Sequence, residues 1–278
     1  MSTLGSADII TNGIRIHYYR AAKSAQTRPW PSLVLLHGIT DSCQCWPRVV
    51  NALASEYDMI LPDARGHGLS DKPTTGYAPQ DHAADIAGLI RGLELERPIL
   101  IGHSMGAGVS ATVAALYPDL VSGVILEDPP WRAEGDEPGT PQQQAIRADE
   151  WRKEIIERQL HTAAEIIASR KLEQPKWADE EFPDWAVAKQ QVSPNVTQYI
   201  TAPRKSWREL VGQIRCPALL ITADVAEDAI VTPEVAAAAV KLMPKGRVVH
   251  IPGAGHNIRR EQFEAYMTAV REFLAELV

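Results

Sequence analysis

A chain of 278 residues sits near the upper limit for one hydrophobic core. It is 45% apolar and 23% charged, globular proportions that exclude a disordered or collagen-like chain. Its 28 Lys+Arg against 35 Asp+Glu give a net charge of -7 with no basic block, which argues against a nucleic-acid partner. No apolar run approaches the roughly 20 residues of a membrane span. The opening MSTLGSADIITNG lacks the basic stretch and apolar core of a secretory signal. Three cysteines (Cys43, Cys45, Cys216) make neither a disulfide framework nor zinc-ligand pairs. These features lead us to expect a cytoplasmic protein without a metal.

In chain order, two short apolar runs flank Asn12-Gly13, a strong hairpin signal. Continuous apolar runs then recur at Ser32–Leu36, Asp58–Leu61, Pro98–Ile101, Gly123–Leu126, Ala218–Ile221 and Arg247–Ile251. Unbroken runs suit strands buried on both faces of a parallel sheet. Helical patterns lie between them: Trp46–Ser55, Gln80–Leu93, Met105–Tyr117, Glu234–Met243 and a final Ile258–Val278. Alternation of strand and helix implies an α/β core with a mostly parallel sheet. Residues 131–206 interrupt it, with no strand-like run, 24 charged residues of 76 and four of the seven Trp. We read this stretch as a helical cap subdomain laid over a core of residues 1–130 and 207–278. Its tryptophans either face a pocket or staple the cap to the core.

The stretch PILIGHSMGAG, Pro98 to Gly108, carries the chemistry. An apolar strand runs into Gly-x-Ser-x-Gly and then into an Ala/Val-rich helix, the strand–turn–helix context of a nucleophile elbow. Ser104 would sit in strained backbone with its hydroxyl exposed, and Gly102 and Gly106 are small enough to permit it. The same letters contain a dinucleotide-binding pattern, Gly106-x-Gly108-x-x-Ala111, with Glu127 and Asp128 downstream. Its first glycine falls five residues after Ile101, inside the helix, so close packing is the better explanation and no cofactor is implied.

A serine nucleophile needs a base, and His256 follows the last strand in a Gly-containing loop, able to reach the carboxyl edge of the sheet. An acid should orient it. Asp224, just past a strand end, ranks first. Asp228 ranks second, and Glu127 or Asp128, followed by two prolines, rank behind as structural residues. Two N–H groups should face the developing oxyanion; Met105 follows the nucleophile and Ile39 follows Gly38 in Leu36-His37-Gly38-Ile39. Trp131, where the chain leaves a strand for the cap, is expected near the acyl group.

LHGIT, DARGHGLSD (Asp63–Asp71), GHSMG and GAGH, in that order, resemble the α/β-hydrolase superfamily over residues 32–130 and 207–278. The resemblance implies an eight-stranded, mostly parallel sheet, a site at the carboxyl ends of the strands, and loop-shaping roles for Asp63, Arg65 and Gly66. It usually places the acid in a Gly-x-x-Asp after the seventh strand, where this chain reads Ala223-Asp224-Val225-Ala226-Glu227-Asp228. A serine elbow argues against the dehalogenase and epoxide-hydrolase branches. The resulting expectation is a cofactor-independent serine esterase for small to medium, largely apolar esters. Lactonase, perhydrolase and carbon–carbon bond hydrolase are related alternatives, and a ligand receptor with little turnover is a different class. The oligomeric state is not legible.

Overall fold

The computed structural model describes residues 4–21, 32–133 and 139–277. One eight-stranded sheet organises them: β1 (Leu4–Thr11), β2 (Ile14–Ala21), β3 (Leu33–Leu36), β4 (Met59–Pro62), β5 (Ile99–His103), β6 (Gly123–Glu127), β7 (Ala218–Ala223) and β8 (Gly246–Ile251). Their spatial order is β1-β2-β4-β3-β5-β6-β7-β8. The first two strands form an antiparallel hairpin whose turn residues, Asn12 and Gly13, both have positive φ. Strand β2 also runs antiparallel to β4, and the pairings from β4 through β8 are parallel. This is the eight-stranded, mostly parallel sheet that the family resemblance implies.

Helices α1 (Pro47–Leu53), α2 (Pro79–Gly92) and α3 (Met105–Leu116) alternate with the first parallel strands. Between β6 and β7 come α4 (Pro141–Arg158), α5 (Ala163–Glu173), α6 (Phe182–Gln191), the short α7 (Gln198–Thr201) and α8 (Trp207–Val211). After β7 follow α9 (Pro233–Leu242), α10 (Ile258–Glu261) and α11 (Phe263–Glu276). The expected single C-terminal helix is thus two, broken at Gln262, and the break lets Arg259 and Arg260 turn inward.

The pleat explains the two cores. Val34, Leu36, Leu100, Leu126 and Leu220 face one way, onto α2, α3 and α9. Their neighbours Leu33, Leu35, Ile101, Ile125 and Ile221 face the other way, onto α1 and α11. Strands buried on both faces cannot alternate apolar with polar, hence the continuous runs. Among the described residues, no helix is long and apolar enough to cross a membrane.

Candidate active site

Strand β5 ends at His103 and α3 begins at Met105, so Ser104 occupies the whole turn between them, with φ 51° and ψ -114°. A Cβ on Gly102 would lie 2.3 Å from the Gly106 carbonyl oxygen, and one on Gly106 would lie 2.0 Å from that of Leu36. No side chain fits at either place. The turn is pinned by the Ser104 N–H donating to the Glu127 carbonyl at 2.9 Å. Gly106 and Gly108 both lie within α3, which removes the turn a dinucleotide pyrophosphate would need.

His256 stands between β8 and α10, and its Nδ1 is 2.6 Å from Asp128 Oδ2. With Nδ1 donating to the carboxylate, Nε2 is left as the basic nitrogen. Asp128 follows β6 in a positive-φ conformation (φ 41°) and is fully buried. Its carboxylate also accepts the N–H groups of Ile230, at 2.8 Å, and Val231, at 2.9 Å. His103 Nε2 donates to the His256 carbonyl at 2.9 Å, tying the histidine loop to the elbow.

The first two choices for the acid are therefore corrected. Asp224 bonds His250 Nε2 at 2.9 Å and the Gly253 N–H at 2.7 Å, away from His256; these two contacts, the N–H foremost, hold its carboxyl below the usual range. Asp228 is exposed and closes a short 3-10 turn in a left-handed conformation. The loop after β7 contributes main-chain donors to the carboxylate rather than the carboxylate itself. Glu127 is buried against Arg259, accepting its N–H at 2.9 Å and lying 3.2 Å from Nη1; burial raises its pKa.

On the other side of Ser104, the loop after β3 turns back on itself, with Asp41 N–H donating to Gly38 O at 3.1 Å. A Cβ on Gly38 would lie 2.7 Å from His103 Nδ1, so glycine allows the loop to approach the elbow. Neither the Ile39 nor the Met105 N–H has a protein acceptor among the described residues. Asp63 accepts the N–H groups of Cys43 and Leu69, binding neighbouring loops together, and Arg65 pairs with Asp85 of α2 at 2.6 Å.

Ser104, His256, Gly38 and Ile39 line a cavity of about 750 Å³ together with residues of α4, α5 and α6. Its wall differs from the expected apolar one: Ile39, Ile166 and Trp185 are outnumbered by side chains such as Glu157, Arg158, His161, Arg170, Lys189 and Arg260. The helices between β6 and β7 are strongly charged, and they turn part of that charge inward. Trp131 is also corrected. It lies outside the cavity lining, buried in the core and stacked on Trp207 with ring centroids 5.4 Å apart. A cluster of buried ions closes the cavity near the loop. Asp41 lies 2.7 Å from Lys189 Nζ and 3.0 Å from Arg260 Nη2. Against the penalty of burial, Arg260, Lys189 and Arg259 hold its carboxyl well below the usual range. Among the described residues, no group of His, Cys, Asp and Glu is arranged to hold a metal ion.

Residues 31–259 match the family model for the alpha/beta hydrolase fold, and the chain belongs to that family. A 2-(acetamidomethylene)succinate hydrolase of Mesorhizobium japonicum is 49% identical over 98 residues, 35% of each chain. The match thus spans about a third of the length of that curated relative. An N-formylmaleamate deformylase of Pseudomonas putida is 27% identical over 99% of this chain and 98% of that one. Among solved structures, an E-2-(acetamidomethylene)succinate hydrolase superposes with a TM-score of 0.80 at 26% identity, covering 98% of this chain and 100% of that one.

Proposed function

We propose that this chain is a serine hydrolase that cleaves carboxylic esters of small, polar acids through an acyl-enzyme on Ser104. The observation that carries the reading is the 2.6 Å contact of His256 Nδ1 with buried Asp128, beside a strained serine in the same cavity. His256 Nε2 takes the Ser104 proton as Oγ attacks the acyl carbon, and Asp128 stabilises the imidazolium that forms. The Ile39 and Met105 N–H groups receive the oxyanion. The histidine then protonates the leaving alcohol, and water, deprotonated by the same histidine, releases the acid. The helices between β6 and β7 act as the cap that shapes the acyl pocket. Their charge favours polar acyl groups over long alkyl chains.

A second reading, hydrolysis of an N-acyl bond, draws on the names of the two relatives, a succinate-derivative hydrolase and a deformylase. The chemistry is the same with an amine leaving, and relies more on His256 as the acid. The test is turnover of p-nitrophenyl esters from acetate to decanoate and of N-formyl and N-acetyl amides of small dicarboxylic acids. A fluorophosphonate probe is applied in parallel. The ester reading expects short esters to turn over and the probe to label Ser104. Turnover of amides alone would favour the second reading, and no turnover with no labelling would overturn both.

A further inference from the structure

The ion cluster around Asp41 takes no part in the reaction just described, yet one member reaches the catalytic loop. Lys189 is carried on α6, is buried, and lines the cavity that holds Ser104. A buried cation there would ordinarily be read as a receptor for a substrate carboxylate. Its donors are already taken. Nζ donates to the Thr40 carbonyl at 2.8 Å, to Thr40 Oγ1 at 2.9 Å and to Asp41 Oδ1 at 2.7 Å. An ammonium has three N–H groups, so none remains for a substrate.

What those bonds hold is the geometry of two peptide units of one turn, Thr40–Asp41 and, through it, Gly38–Ile39. A trans peptide directs its C=O and N–H in opposite senses. Lys189 grips the Thr40 C=O, which directs the N–H of the same unit, that of Asp41, the other way. That N–H donates to the Gly38 carbonyl, which also accepts from His37 Nδ1 at 2.8 Å. The Gly38 C=O shares its peptide unit with the Ile39 N–H, which is thereby turned to the side opposite the two donors. Thr40 sits at the third position of this turn with φ 65°, a conformation suited to Gly or Asn and unfavourable for a β-branched residue. The turn therefore needs external restraint, supplied on one side by the Thr40 N–H bond to His67 Nε2 at 3.2 Å and on the other by Lys189.

We infer that Lys189 is a positioning residue, borne by the helical insertion between β6 and β7, that sets the direction of the Ile39 N–H toward the oxyanion. The inference rests on the serine-hydrolase reading above. It makes seating of α6 a condition for a formed oxyanion site.

The test compares the parent with Lys189→Met on p-nitrophenyl acetate and measures the rate of Ser104 phosphonylation by a fluorophosphonate. Losing an oxyanion donor costs about 10²–10³ in kcat, so Lys189→Met should lower kcat and the phosphonylation rate about 100-fold with KM within about threefold. Lys189→Cys alkylated with bromoethylamine restores an ammonium at nearly the same reach and should recover most of the lost kcat. Retention of kcat, a loss carried by KM alone, or failure of the alkylated variant to recover would overturn the assignment. Should Lys189→Met give no cooperative melt, Thr40→Ala removes one of the three acceptors; a severalfold fall in kcat at constant KM supports the inference and a parent-like kcat overturns it. An unlabelled parent would overturn the serine reading and this inference with it. A parent and a folded variant labelled at equal rates would overturn the inference alone.

Discussion

At Ser104, replacement by alanine removes one oxygen from a turn held by main-chain bonds and by the glycines around it, so the fold should survive. We expect Ser104→Ala to lose on the order of 10⁶ in kcat with its melting temperature nearly unchanged; activity within tenfold of the parent would sink the mechanism. The carboxylates are separated by amide substitution. Asp128→Asn leaves the shape but favours the wrong histidine tautomer, and should lose on the order of 10⁴ in kcat. Asp224→Asn, whose partners are His250 and Gly253, should stay within about threefold. Steady-state rates on one ester decide between them, and the reverse ranking would return the acid to the loop after β7. Of the proposed triad, Ser104 and His256 are legible in the sequence because each sits in a local pattern of strand end, glycine and helix start. The proposed acid, Asp128, is not. Its pairing spans 128 residues and depends on a positive-φ turn at Asp128 and on the path that brings the Ile230 and Val231 N–H groups to its carboxylate.

At the scale of elements, the elbow is where strand and helix constrain each other most. A methyl group at Gly106 meets the Leu36 carbonyl, a main-chain atom of the central strand β3 that cannot move alone. Gly106→Ala should cost about 1–3 kcal/mol by overpacking, seen as a lower urea midpoint, with a further loss of activity as Ser104 shifts. Two residues on, a Cβ at Gly108 would meet Pro130 Cδ and the Tyr199 hydroxyl at 3.4 Å, tight contacts with side-chain atoms that can give by tenths of an ångström. Gly108→Ala should therefore cost less than Gly106→Ala, and equal costs would contradict the packing argument. The contrast shows how far element-level patterns reach. Apolar runs located the parallel strands to within a residue or two, because burial on both faces leaves no other composition. The helices between β6 and β7 were legible as helices, but not which of their charged side chains line the cavity. Trp131 misled for a related reason. A large aromatic at a strand end fits a pocket or a core equally well, and only its stacking on Trp207, 76 positions later, decides.

For the molecule as a whole, the buried histidines set how stability answers to acid. Burial depresses His37, His67 and His103, and pushes His82 down to about 3. A histidine whose folded pKa lies below its unfolded value near 6.5 leaves the unfolded chain binding more protons as pH falls. Its contribution to stability is thus complete above about 6.5 and is lost progressively down to the folded value. Glu127 and Asp85, raised by burial, act in the opposite sense: near their folded values the folded chain takes up the proton first, offsetting part of the loss at the acidic end. Asp41, held low by its cations, adds its own loss from the ordinary carboxylate range downward. Urea midpoints should therefore be flat from pH 8 to 7 and fall below about 6.5. His82 is the place to test the cause, since its Nε2 is buried without a partner among the described residues and its ring packs edge-on against Tyr199, 5.7 Å between centroids. His82→Phe keeps an aromatic ring there and removes the titration. It should leave stability near pH 7.5 little changed. Between about pH 6 and 4 it should remove up to one proton's worth of slope, about 1.4 kcal/mol per pH unit. Parent and variant curves that fall in parallel through this range would show that the acid sensitivity arises elsewhere.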